Sequence, residues 1–215
     1  MLQRVTEGRH TAEYILSEAD SLLSRDEVTF ASGTSPVPGE VLGKVLIAAA
    51  TATAKPGGNT GNGAISAVTV LAGARVGLYT VRAIAAATNS GTFRVEDPDG
   101  NVIGDVAVAA AFADDIGFTV ADGATDFVVG DGFDITVAVG SGKFKPLSPA
   151  ATDGTQIAAA ISYAAVDAST ADAKGVVTAR STTVKAPALT WPAGITDPQK
   201  AAALAQLASR DIIAR

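Results

Sequence analysis

Two short runs far apart in the chain read as the two halves of one β-hairpin. Val41-Leu42-Gly43-Lys44-Val45-Leu46 has the make-up of an outgoing strand, and Gly142-Lys143-Phe144-Lys145-Pro146-Leu147 that of its return. Hairpins ordinarily close over a few residues, so everything between the halves reads as an insertion. A hairpin tip tolerates such a guest because few contacts cross it. The implied organisation is an N-terminal arm at residues 1–27, a discontinuous host domain at 28–47 and 140–215, and an inserted β-domain at 48–139. A chain of 215 residues, 47% of them hydrophobic, is long enough for two such cores.

Inside the insertion, apolar and alternating runs recur between turn signals at residues 64–71, 78–85, 93–95, 102–112, 117–120 and 133–139, the spacing of an all-β sandwich or barrel. In the last run Phe133, Ile135, Val137 and Val139 alternate with Asp134 and Thr136, which places the apolar four on one face. The glycine-rich stretch 55–63 marks the crossing into the guest. In the host, strands are expected over 156–166, 175–180 and 183–188. A single helix follows, capped by Asp197 or by a Thr196/Gln199 capping box, with Pro198 in its first turn and Ala201, Leu204, Ala205 and Leu207 as its apolar stripe. Ile212 and Ile213 continue as a tail or a final strand. Residues 1–27 show no sustained period and read as an extended arm. The competing local reading is an amphipathic helix over 11–23.

Composition narrows the function. A net charge of −6 opposes a phosphate-gripping nucleic-acid binder. The absence of cysteine removes disulfides, thiol nucleophiles and thiolate zinc sites. Arg4, Glu7, Arg9 and Glu13 interrupt any secretory signal, and no apolar run is long enough to span a bilayer, so a protein made in the cytoplasm and not embedded in a membrane is expected. Asp97-Pro98-Asp99-Gly100-Asn101 begins like a calcium loop, but valines stand at positions 102 and 108, where that loop needs glycine and a bidentate glutamate; it reads as a β-turn. The glycine-rich stretch lacks the lysine and hydroxyl of a phosphate loop. The one histidine, His10, lies in the arm without a triad around it, while Asp114-Asp115 and Asp131 with Asp134 remain carboxylate pairs that a glycosidase could use. No catalytic residue, metal site or cofactor is assigned, and the chain is read as a non-enzyme.

The Val41 strand, joined to the segment that begins Ser148-Pro149-Ala150-Ala151-Thr152-Asp153-Gly154-Thr155-Gln156 and runs to Leu189-Thr190-Trp191-Pro192-Ala193-Gly194-Ile195-Thr196, resembles the lambda-type phage head decoration proteins. The resemblance covers the first 47 residues or so and the last 75. It implies a mainly β, β-clip (β-tulip) host with a short C-terminal helix. It further implies a homotrimer that binds the major capsid protein at three-fold positions outside an expanded phage head and stabilises the shell. An arm that becomes ordered against the capsid would place Thr11, Tyr14, Ile15, Leu16, Val28 and Phe30 at the contact. Trp191 and Pro192 would serve as core anchor and trimer support. The competing function is a carbohydrate-binding or adhesin-like module, with the inserted domain touching a host-surface glycan.

Overall fold

The computed structural model describes residues 7–215; residues 1–6 of the expected arm lie outside the described part. The fold is mainly β and divides into two compact units, one formed by the residues up to Leu46 together with Gly142–Arg215, the other by Ile47–Ser141.

The split hairpin exists. Phe144 pairs with Lys44, Lys145 with Gly43 and Pro146 with Leu42, antiparallel. Its tip is fastened by Val45 N donating to Lys143 O and Gly142 N donating to Val45 O, both at 2.9 Å. Gly43 is required by packing: a Cβ there would stand 2.3 Å from the Thr155 carbonyl oxygen. Strands Phe144–Pro146, Arg25–Phe30, Ala173–Thr178, Ala158–Ser162 and Val41–Lys44 close, in that order, into a barrel. Phe30, Leu42, Ala160 and Val177 are buried together in one cluster of this unit. A second sheet runs Ile15–Glu18, Thr182–Val184, Ile212–Ala214. Its core gathers Tyr14, Val41, Leu147, Ile161, Val184, Leu207 and Ile212, with Trp191 partly buried against it.

The C-terminal helix, Asp197–Ala208, settles the choice of cap. Thr196 is the N-cap, its hydroxyl accepting from Gln199 N while the Gln199 side chain accepts from Thr196 N at 2.9 Å, so Asp197 is the first helical residue instead. Of the expected stripe only Leu207 is buried and Leu204 half-buried; Ala203 takes the place of the exposed Ala201 and Ala205. The shift follows from a helix clasped on one narrow side, where Gln206 accepts from Ala158 N at 2.7 Å.

The inserted unit is sandwich-like. A five-stranded sheet has the order Ile47–Ala54, Gly132–Val139, Gly77–Ala87, Ser90–Glu96, Val102–Ala107. A smaller sheet is built on Ile116–Ala121, which pairs with Ala111–Ala113, Ala64–Ile65 and Thr69–Val70. Tyr79, Val81, Phe93, Val95, Ile135 and Val137 from the first share a core with Phe112, Ile116, Phe118 and Val120 from the second. Phe93 and Phe127 meet edge to face at 5.1 Å. Two expectations are corrected. The glycine-rich stretch does not mark the crossing, because Ile47–Ala54 is already a strand of the guest; it is a loop within the unit. Val139 leaves the buried face of its strand and is 73% exposed, since the register with Ile47–Ala54 shifts between Val137 and Val139.

Candidate attachment face

The N-terminal segment is built into the host, and Tyr14 is what holds it. Its ring is buried and its hydroxyl lies 2.5 Å from that of Thr178, itself buried. Burial pushes the phenol well above the ordinary tyrosine range, against the opposing effect of the Thr178 bond. Lys185 N donates to Tyr14 O at 2.7 Å, and strand Ile15–Glu18 then pairs with Thr182–Val184. At the far end of the strand Glu18 accepts from Arg25 Nε and Ser24 Oγ, both at 3.0 Å. The Arg25 bond holds Glu18 below the usual carboxylate range despite partial burial. The same guanidinium lies 4.0 Å over the Tyr163 ring.

These ties leave the segment extended at Ile15–Glu18 and ordered on the host from Tyr14 onward, and they overturn the competing helix over 11–23. Only Ser21–Ser24 is helical, capped by Asp20, which accepts from Leu22 N at 2.9 Å. The physical reason is burial: a large aromatic ring gains more by entering the host core than the polar residues around it lose by following the chain.

What remains outside is apolar at several points and cationic at others. Leu16 is 51% exposed, Leu22 93% and Leu23 54%. Strand Ile15–Glu18 is an edge, with a strand neighbour on one side only among the described residues. Beside it lies an open cleft of about 730 Å³ lined by Arg9, Glu13, Leu16, Lys185, Pro187, Ala188 and Arg215. The Arg9 guanidinium donates to Ala188 O across it. Such an edge, with exposed Leu16 and three cationic side chains against one glutamate, suits an extended partner segment.

Of the residues expected at a capsid contact, Thr11 and Leu16 are exposed and Ile15 is half-buried. Tyr14 and Phe30 are buried, and Val28 is half-buried against the same cluster as Phe30, so these three hold the unit together instead of presenting a surface. Trp191 and Pro192 are both half-buried. Leu22, Leu23, Arg9, Lys185 and Arg215 were not singled out by sequence. The adjacent leucines were the available signal, but they read equally well as the inner face of a helix.

Three of the four carboxylates that could have suggested hydrolysis are occupied elsewhere. Asp131 accepts from the backbone N–H groups of Thr60, Gly61 and Val128 at 2.9 to 3.1 Å and anchors the glycine-rich loop. Asp134 is paired with Arg82. Asp115 accepts from the Tyr79 hydroxyl at 3.2 Å. Asp97 is turned inward onto the N–H groups of Asp99 and Asn101, the β-turn expected there.

The sequence matches the family model of the bacteriophage lambda head decoration protein D over residues 4–97 and 64–212. This chain belongs to that family. The decoration family is one of structural capsid proteins, which places the chain in a phage head and gives it a decorating role. No curated protein matches the sequence. Among solved structures, two crystal forms of Xanthomonas campestris FlgL align with 51% of this chain and with 34% and 33% of their own, at 19% and 18% identity and a TM-score of 0.33. The chain spans about a third of the FlgL length. No helix among the described residues is long and apolar enough to cross a membrane.

Proposed function

We propose that this chain is a cementing subunit. Three copies bind the outside of the expanded head at a three-fold site, contact the major capsid protein through the N-terminal segment and its cleft, and raise shell stability because only the expanded lattice offers the complete site. The family match over most of the chain is the observation that supports this most strongly. The contact surface we assign is Thr11, Leu16, Leu22 and Leu23 with Arg9, Lys185 and Arg215. Tyr14, Val28 and Phe30 hold that surface in place from within, while Trp191 and Pro192 support the side where copies meet. Synthesis in the host cytoplasm and assembly onto a preformed shell complete the reading.

The inserted unit is a displayed passenger in this reading. Its aromatic residues, Tyr79, Phe93, Phe112, Phe118, Phe127 and Phe133, are all buried, which leaves no ring to stack on a sugar and gives the glycan-binding alternative no support. The test is to mix purified protein with expanded and unexpanded heads and image both by cryo-electron microscopy. Density at three-fold positions of expanded heads only is the expected result; binding to neither form, or equally to both, would refute the proposal.

A further inference from the structure

The larger sheet of the inserted unit ends on two edge strands, and only one of them is blunted. Val102–Ala107 carries the exposed Asp105 and a register shift at Ile103, two devices that keep a sheet edge from pairing. The other edge, Ile47–Ala54, has neither across Ala50–Ala54, where the register with Phe133–Val137 is unbroken and every side chain is alanine or threonine. Lys55, which follows, turns its ammonium back onto Gly58 O at 2.7 Å. Lys55 N donates to Gly132 O at 3.0 Å, so Thr53 and Thr51, at alternate positions before it, also face the neighbouring strand. The N–H and C=O groups of Ala50, Ala52 and Ala54 therefore point away from that strand, and no other strand pairs with them among the described residues.

Charge decides what kind of strand can lie there. Residues 47–141 hold four cations against ten carboxylates, which accounts for the whole net charge of −6. The acids stand clear of this edge, however. Glu96, Asp97, Asp99 and Asp105 lie on the two strands farthest from it or in the turn between them, roughly 14–19 Å away at about 4.8 Å per strand and so beyond a Debye length of about 8 Å. Asp134, on the adjacent strand, is paired with Arg82. The edge is thus neutral within an acidic unit: it selects no ionic partner and does not repel a copy of itself. A second copy fits it in one antiparallel register. With Ala52 opposite Ala52, Ala50 stands against Ala54 and Thr51 against Thr53. The outward groups of the three alanines then meet as hydrogen-bonded pairs, about six bonds in all, and the exposed threonines form cross-strand pairs on the outer face.

We propose that this edge pairs with the same edge of a second copy of the chain, joining two five-stranded sheets into one continuous sheet. The seam is about 17 Å long and about 10 Å deep, far below the roughly 1,000 Å² of a stable interface. The pair therefore dissociates in dilute solution and forms where copies are crowded, as on the shell proposed above, where it ties one subunit to another. The chain has no cysteine, so introduced thiols report the geometry directly. Full-length Thr51→Cys and Thr53→Cys chains, one of them mass-tagged, are mixed at about 1 mM, oxidised and weighed intact. Opposed positions lie about 4.5–5.5 Å apart and diagonal ones about 7–8 Å, against a disulfide limit near 7 Å. The mixed 51–53 disulfide should therefore exceed either like disulfide at least about tenfold. It should fall at least about tenfold when both chains carry Ala52→Pro, which removes an outward N–H and no ladder bond, with urea midpoints confirming the fold. In the parent chain, hydrogen exchange of the Ala50, Ala52 and Ala54 amides should slow between about 0.1 and 1 mM, while Thr51 and Thr53, already bonded, stay constant. Statistical yields of the three disulfides, a yield no higher than that of Ala107→Cys on the opposite edge, or exchange independent of concentration would overturn the proposal. No heads are used, so failure here would leave the cementing reading standing.

Discussion

Replacing Tyr14 by alanine should detach the N-terminal segment and weaken the whole host unit. Truncating a buried aromatic ring to alanine costs about 3–5 kcal/mol, and the buried Thr178 hydroxyl loses its partner, which adds about 1–2 kcal/mol. A total of about 4–7 kcal/mol, at a urea m-value of about 2 kcal/mol per molar, moves the midpoint down by about 2–3.5 M. Trp191, the one tryptophan, packs against the same cluster as Tyr14, so its fluorescence reports this unit and not the inserted one. The titration is run at one protein concentration, since assembly would make the midpoint depend on it. Tyr14→Phe keeps the ring and should cost only about 1–2 kcal/mol. It should also change the pH dependence. The folded phenol is raised, so its contribution is intact below the unfolded tyrosine value of about 10 and is lost as pH rises above it. The phenylalanine variant should lose that alkaline decline. A midpoint for Tyr14→Ala within about 0.3 M of the parent would refute the reasoning and restore a loosely held arm.

Replacing residues 47–141 by a short glycine-containing turn should leave a cooperatively unfolding host, because the bonds between Val45 and residues 142 and 143 already close the hairpin; loss of a sigmoidal Trp191 transition would argue against it. Asp131→Ala should destabilise the inserted unit by about 2–4 kcal/mol, measured by calorimetry on the isolated unit, since it leaves three inward N–H groups unpaired. Burial acts to raise the Asp131 carboxyl, but its backbone bonds prevail and hold it below the ordinary range. This share of stability is therefore present above the unfolded value of about 4 and is lost as pH falls through the folded one, a decline that Asp131→Ala should lack. Native mass spectrometry should give a trimer, or a monomer exchanging with one; a stable dimer or tetramer would rule out three-fold binding.

Local chemistry determined part of this protein without help from the fold. The halves of the split hairpin were legible as the short runs Val41–Leu46 and Gly142–Leu147, and they meet in the register that pairs Lys44 with Phe144. Likewise the capping residues at Thr196 and Gln199 and the turn at Asp97–Asn101 act through neighbours only a few positions away. Strand Ile47–Ala54 was missed because five of its eight residues are alanines, which are poor strand formers and bury little area; it is a strand because Gly132–Val139 pairs along it. The roles of Tyr14 and Asp131 were hidden for a related reason, since their partners, Thr178 and the Thr60–Gly61 amides, lie far off in sequence. The attachment face was read only as an extended arm because burial of a single ring is a property of the assembled core, and no local pattern records which tyrosine the core will take in.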